Sequence, residues 1–159
     1  MVLPLTLRLA VRDDAPAIAL LSRDRIEQGL GWSWTTPRVL RSIRDRETNV
    51  VVAAGEGPLV GFGIMKYQDD EAHLLLLAVL AEYERQGIGR ALVDWLERSA
   101  SIAGVAQVHL EARASNASAR AFYQRLGYRE TQSLPGYYQG REACIRMVRD
   151  LRAERAVPG

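Results

Sequence analysis

Gln86-Gly87-Ile88-Gly89-Arg90-Ala91 stands directly behind the apolar run Leu74–Leu80, where a strand hands over to a helix. A helix N-terminus carries unpaired backbone N–H groups and the positive end of the helix dipole. Glycines at 87 and 89 leave those donors open to a phosphate, so the turn reads as a pyrophosphate cradle. Two commoner phosphate loops do not fit. A P-loop closes on Gly-Lys-Ser/Thr, whereas Arg90-Ala91 follows Gly89. The dinucleotide fingerprint wants a third glycine where Leu92 stands, and an opening βαβ unit where this segment follows an apparent hairpin. The plain alternative is a tight strand-to-helix turn that binds nothing.

Other reactive side chains are few. The single cysteine, Cys144, excludes an internal disulfide or a cysteine metal cluster, and its neighbours Ala143 and Ile145 mark it as a core residue. His73 and His109 lie far apart in sequence, so no metal site is expected. The 159 residues fit a single domain, here drawn as residues 1–151, with 152–159 a frayed tail. A net charge of +2, interspersed rather than blocked, argues against nucleic acid as a partner. The N-terminal ten residues lack the charged and apolar regions of a signal peptide. Leu74–Leu80 is far short of the ~20 residues needed to span a bilayer. A cytoplasmic location without membrane association is the default expectation.

The elements that would hold the cradle follow from pattern and punctuation. Leu5–Leu9 starts a strand. Asp13-Asp14-Ala15-Pro16 reads as a capped helix start, with Ile18, Leu21 and Arg25/Ile26 on one face. Thr36-Pro37 opens a second helix, with threonine as N-cap. Val50–Ala54 and Leu59–Tyr67 form a hairpin around Gly55-Glu56-Gly57-Pro58. Gln68-Asp69-Asp70 turns into a strand over Ala72–Leu80. After the helix behind Gly87 come a strand at Val105–Ala112 and a helix at Ser115–Leu126 stopped by Gly127. Tyr128–Ser133 and Glu142–Val148 close as a strand pair turning at Pro135-Gly136. The order β-α-α-β-β-β-α-β-α-β-β is an α+β fold, a mixed and mostly antiparallel sheet flanked by helices.

With the cradle at its centre, this order resembles the GNAT superfamily of acetyl-CoA-dependent N-acetyltransferases. The signature Gln/Arg-x-x-Gly-x-Gly/Ala stands as Glu84-Arg85-Gln86-Gly87-Ile88-Gly89, with Glu84 where the family carries Gln or Arg. A second marker, Asn before a helix ending in Tyr-x-x-Leu-Gly-Tyr/Phe, stands as Asn116 and Tyr123-Gln124-Arg125-Leu126-Gly127-Tyr128. The resemblance covers about Leu5 to Leu151. Its second half is most similar to bacterial ribosomal-protein alanine N-terminal acetyltransferases, through Leu110-Glu111-Ala112-Arg113-Ala114-Ser115-Asn116, Gly136-Tyr137-Tyr138 and Gly140-Arg141-Glu142-Ala143. Gly31-Trp32-Ser33-Trp34 belongs to no pattern.

The resemblance implies acetyl-CoA as co-substrate and a role for each matching residue. Backbone groups of Leu77, Ala78 and Val79 would pair with the pantetheine arm, with the Val79 N–H as oxyanion donor. Backbone N–H groups of Arg85, Gln86, Gly87, Ile88, Gly89 and Arg90 would take the pyrophosphate, and Asn116 would bond the cofactor near its pantetheine arm. Glu111 is the candidate general base, directly or through water, against the alternative of a solvent-facing strand residue. Tyr123 is the candidate general acid, against a purely packing role. Trp32, Trp34, Tyr137 and Tyr138 are candidates for the acceptor wall, the tryptophans alternatively plugging the core under a loop. Three readings of function stay open: acetylation of a protein or peptide N-terminus, acetylation of a small-molecule amine, and a non-catalytic acyl-CoA-binding module. A two-fold homodimer is left open as the commonest homo-oligomer, with no residue marking its interface.

Overall fold

The computed structural model describes residues 4–138 and 142–152, and only the backbone of Tyr137 and Tyr138. In chain order it contains β1 (Thr6–Leu9), α1 (Ala15–Arg25), α2 (Thr36–Arg44), β2 (Thr48–Ala54), β3 (Gly61–Gln68) and β4 (Glu71–Val79). Then follow α3 (Ile88–Ile102), β5 (Gln107–Arg113), α4 (Ala117–Arg125), β6 (Arg129–Tyr138) and β7 (Glu142–Asp150), with short 3-10 turns at Arg12–Asp14 and Ala81–Tyr83. This is the α+β order expected from the sequence. The seven strands run β1-β2-β3-β4-β5-β7-β6 across one sheet. The β1–β2, β2–β3, β5–β7 and β6–β7 pairs are antiparallel, and β4–β5 is parallel. The chain packs as two compact units, Met1–Lys66 with Leu74–Ser99, and Tyr67–His73 with Ala100–Gly159.

In the first unit, β2 and the start of β3 are buried almost without interruption, which is why they read as apolar runs rather than alternating ones. Their core partners are Ile18, Ala19 and Leu21 of α1, Val39 of α2, and Leu76 and Ala78 of β4. Two glycines let α3 lie close against this sheet. A Cβ on Gly63 would stand 2.9 Å from Leu96 Cδ1, and one on Gly61 would stand 3.1 Å from the Ala78 carbonyl and 3.2 Å from Leu92 Cδ1.

Both expected helix starts are corrected in detail. Asp14 does not cap α1 with its side chain. Its carboxylate instead accepts from the Val11 N–H at 2.8 Å and from the Arg8 guanidinium at 2.7 and 3.1 Å. The arginine is the stronger partner, because a charge-assisted bidentate pair outweighs one backbone bond. The N-cap of α2 is Thr35 rather than Thr36, so Pro37 sits in the first turn one position later than expected. Either position tolerates proline, since neither N–H has an intrahelical acceptor.

In the second unit, β5 alternates cleanly, with Val108, Leu110 and Ala112 buried and Gln107, His109, Glu111 and Arg113 on the opposite face. Gly127 ends α4 as expected, at φ 99°. The final strand pair departs from expectation. β6 does not turn at Pro135-Gly136 but runs on to Tyr138, with a register shift between Leu134 and Tyr138. β6 is the outer strand of the sheet. A proline that cannot donate to a ladder is tolerated on an edge or at a bulge, and Gly136 takes up φ 69° beside it. Gly140 and Arg141, quoted for the resemblance, lie outside the described residues.

Candidate functional site

The cradle belongs to the first unit. Arg85 and Gly87 both hold left-handed backbone, at φ 62° and 81°. For arginine that conformation carries a steric cost. A Cβ on Gly87 would meet nothing within 4 Å, so glycine is required there by its φ and not by crowding. α3 begins at Ile88, and its first internal bond runs from the Ala91 N–H to the Gly87 carbonyl at 3.0 Å. Earlier N–H groups of that turn thus lack intrahelical acceptors, and the residues from Arg85 to Gly87 and Arg90 are exposed. Glu84, the departure from the family signature, forms an ion pair with Arg25 of α1. The donor set fits a diphosphate.

β4 leads into this turn. Leu77 and Val79 are half-buried on one face and Ala78 is buried on the other. Gly61 lies against Ala78 and Val79, so β3 offers no side chain there that would push β4 outward. Between α1 and α2 a buried carboxylate escaped the sequence reading. Glu27 accepts from Ser22 Oγ at 3.0 Å, from the N–H and Oγ of Ser33 at 2.7 Å each, and from the Trp34 N–H at 3.3 Å. This clamp sets the two tryptophans. Trp34 sits in the core at 9 % exposure, with the Arg38 guanidinium 3.9 Å from its ring centroid. Trp32 is 42 % exposed, its Nε1 donating to the Trp34 carbonyl at 3.1 Å.

The acid–base candidates belong to the second unit. Glu111 projects from β5 with its side chain 8 % exposed. Its Oε1 accepts from Arg146 Nη2 at 3.2 Å, and its Oε2 lies 2.5 Å from Nε2 of His73, a residue the sequence reading left without a role. Sheet register produces the cluster. His73 on β4 is opposite His109 on β5, Glu111 is two residues further along the same face, and Arg146 on β7 is directly opposite Glu111. Burial would raise the Glu111 carboxyl, but the bonds and charges of His73 and Arg146 outweigh it and hold the group below its usual range. The carboxylate is therefore ionised at neutral pH. Beside it, burial and the Glu111 charge push the Cys144 thiol up, so it is an inert core residue.

Tyr123 is half-buried in α4, packed edge-on against Phe122 at 5.0 Å and Tyr128 at 5.7 Å between centroids. Asn116 uses its Oδ1 to cap α4, accepting from the Ala119 N–H at 3.0 Å, which leaves its amide NH₂ as the group able to reach a ligand. The loop between them and β5 is fixed by charge. Arg120 donates to the Ala114 carbonyl at 2.8 Å and to both oxygens of Glu130, and Glu142 accepts from the Ser115 hydroxyl and N–H. The side chains of Tyr137 and Tyr138 lie outside the described residues. Among the described residues, no group of three or more His, Cys, Asp or Glu side chains is placed to hold a metal ion.

Residues 33–148 match the family described as the acetyltransferase (GNAT) domain. The chain belongs to the GNAT acetyltransferase family. It is 44 % identical over 95 residues to the [ribosomal protein bS18]-alanine N-acetyltransferase of Escherichia coli K12, a stretch covering 58 % of this chain and 64 % of that one. That span is just under two thirds of the relative's length. To the protein of the same name from Salmonella typhimurium it is 34 % identical over 118 residues, covering 72 % of this chain and 79 % of that one. Among solved structures it is similar to the crystal structure of the ribosomal-protein-S18-alanine N-acetyltransferase from Escherichia coli. The TM-score is 0.82 at 30 % identity, with 98 % of this chain and 97 % of that chain covered.

Proposed function

We propose that this GNAT protein transfers an acetyl group from acetyl-CoA to the α-amino group of a protein or peptide N-terminus. The observation that carries this reading is the likeness along nearly the whole chain to a structure named for alanine N-acetylation. Five features of the chain support it. The left-handed turn at Arg85–Gly87 offers backbone donors of the kind a pyrophosphate needs, Leu77–Val79 would pair with the pantetheine arm, and Asn116 has a free amide donor for it. Glu111 supplies a buried negative charge for deprotonation, and Tyr123 supplies a hydroxyl.

In this reading the acceptor ammonium first loses a proton toward the Glu111 cluster. The amine then attacks the thioester carbon directly, so that a C–N bond forms through a tetrahedral intermediate whose oxyanion is met by the Val79 N–H. As the C–S bond breaks, the Tyr123 hydroxyl protonates the departing thiolate and recovers a proton from the amide nitrogen being formed. An N-terminal amine, with an ordinary pKa near ~8, needs only a modest base, whereas a lysine amine needs a stronger one. The products are the N-acetyl peptide, CoA and one proton released to solvent. We place the protein in the cytoplasm, where acetyl-CoA and ribosomal or nascent N-termini would meet it. No helix among the described residues is long and apolar enough to cross a membrane.

The test is thiol release from acetyl-CoA with two acceptor pools, peptides bearing free Ala, Ser, Met or Gly N-termini and a panel of small amines. Turnover on peptides that disappears when the N-terminus is blocked is the expected result. Turnover confined to small amines would replace the peptide reading and move attention to exposed Trp32. Binding of acetyl-CoA without transfer to either pool would leave only the sensor reading.

A further inference from the structure

Glu111 cannot readily meet a substrate itself. Oε1 is held by Arg146 and Oε2 by His73, and the side chain is almost entirely enclosed, while the His73 ring is 41 % exposed. An ionised carboxylate has no hydrogen to donate, so the short contact between Oε2 and Nε2 must use a hydrogen of the ring. That fixes the neutral tautomer, with the proton on Nε2 and the lone pair on Nδ1. We propose that His73 Nδ1 is the base that takes the proton from the acceptor ammonium, with Glu111 as the positioning residue that orients the ring. The inference rests on acetyl transfer occurring at this site, and it moves the first proton transfer from Glu111 to its exposed partner.

The division of labour is that of a nucleophile-activating histidine held by a buried carboxylate. When Nδ1 accepts the proton, Nε2–H stays against Glu111 and the ring becomes an imidazolium beside a negative charge. The N–H bond of the substrate breaks, an Nδ1–H bond forms, and the proton later leaves to water from an exposed ring. Among the described residues, β4, β5 and β7 bring charged and titratable groups to this face, and β3, the other neighbour of β4, carries Lys66, paired with Asp45 at 3.9 Å. Glu71 lies on the ring's own strand β4, Glu111 and His109 on β5, and Arg146 and Cys144 on β7. Glu71 is turned toward His109, at 3.5 Å from its Nε2, rather than toward His73. Arg146 opposes a positive ring but is itself neutralised at Glu111 Oε1. Glu111 is therefore the carboxylate in contact with the His73 ring.

The experiment measures the pH dependence of kcat/KM on an Ala-initiated peptide for the wild type, His73→Gln, His73→Ala and Glu111→Gln. Acetyl-CoA affinity and Tm are recorded for each. His73→Gln is expected to lower kcat/KM about 10²-fold at pH 7, with unchanged acetyl-CoA affinity. Activity should recover as pH rises past ~8, where the free amine supplies itself. Added imidazole should restore part of the activity of His73→Ala. Long-range nitrogen–proton NMR of the wild type should show the Nε2–H tautomer at His73. A wild-type pH profile in His73→Gln alongside a collapsed one in Glu111→Gln would overturn the role of His73 while keeping Glu111 as the direct base. The Nδ1–H tautomer would overturn it as well. Full activity in both variants would remove the cluster from catalysis, and a wild type inactive on every peptide would overturn the transfer reading itself.

Discussion

Glu111 shows how a carboxylate's hold on its proton depends on what surrounds it. Burial pushes its carboxyl up and is outweighed by His73 and Arg146, so the folded protein holds it below the unfolded value. A depressed carboxyl contributes stability that is fully present above the unfolded pKa and lost as pH falls through the folded one. The Tm difference between wild type and Glu111→Gln should therefore be largest near pH 7 and shrink below about pH 4.5. A difference that stays constant across a thermal-melt series from pH 7 to pH 3 would show that the pair does not shift the group. Tyr123 is tested more simply. Its ring packs against Phe122 and Tyr128, and Tyr123→Phe keeps that packing while deleting the hydroxyl. The expected result is a kcat at least about tenfold lower with acetyl-CoA affinity unchanged, and an unaltered kcat would take Tyr123 out of the mechanism. Glu27 carries a third prediction. Truncation to Ala strips the N–H groups of Ser33 and Trp34 of their acceptor, and should cost about 1–3 kcal/mol in denaturant melts. Neither Glu27 nor His73 was legible from one chain. Their partners lie on other elements or across an unpatterned loop, and only register and chain path bring them together.

At the scale of elements, the turn before α3 was legible because its signal is local. A strand, two glycines and an amphipathic helix in succession specify a turn whose handedness the backbone then shows at Arg85 and Gly87. The space around Gly87 separates its two duties. Any replacement must adopt φ near 81°, but its Cβ would meet nothing within 4 Å. Asparagine tolerates left-handed backbone better than other L residues. Gly87→Asn should therefore fold with a Tm close to wild type while its side chain screens the N–H groups from a phosphate. At least about tenfold weaker acetyl-CoA binding in calorimetry is expected, equivalent to ~1.4 kcal/mol. Unchanged affinity would place the pyrophosphate elsewhere. The same locality explains what went wrong at β6. Pro-Gly is a strong turn signal, yet an outer strand with a bulge accepts both residues, and whether a strand is outermost is a property of the sheet rather than of the dipeptide. The N-caps failed for a similar reason. Asp14 has the right chemistry to cap α1, but the guanidinium of Arg8 on β1 takes its carboxylate first.

For the molecule as a whole, element order and hydrophobic pattern were enough to name the sheet and its flanking helices, because each strand carries its own apolar signature. Which residues meet across β4, β5 and β7 was not, since the return of β7 between β5 and β6 leaves no trace in local pattern. Binding offers a test at this scale that does not depend on assigning any proton. A ligand that binds only the folded chain stabilises it by mass action, by about 2.7 kcal/mol at a hundredfold excess over Kd. For a chain of 159 residues each kcal/mol moves Tm by roughly 2–4 °C. Acetyl-CoA at that excess should thus raise Tm by about 5–11 °C. CoA should give a shift of similar direction, because the pyrophosphate and pantetheine contacts proposed here do not involve the acetyl group. Gly87→Asn, binding about tenfold more weakly, should show only about half of the shift at the same concentration, while Tyr123→Phe and His73→Gln should show all of it. If the chemistry variants lose as much of the shift as Gly87→Asn, then those side chains hold the co-substrate instead of moving its protons. The division between binding in the left-handed turn and catalysis on β4, β5 and α4 would then have to be redrawn.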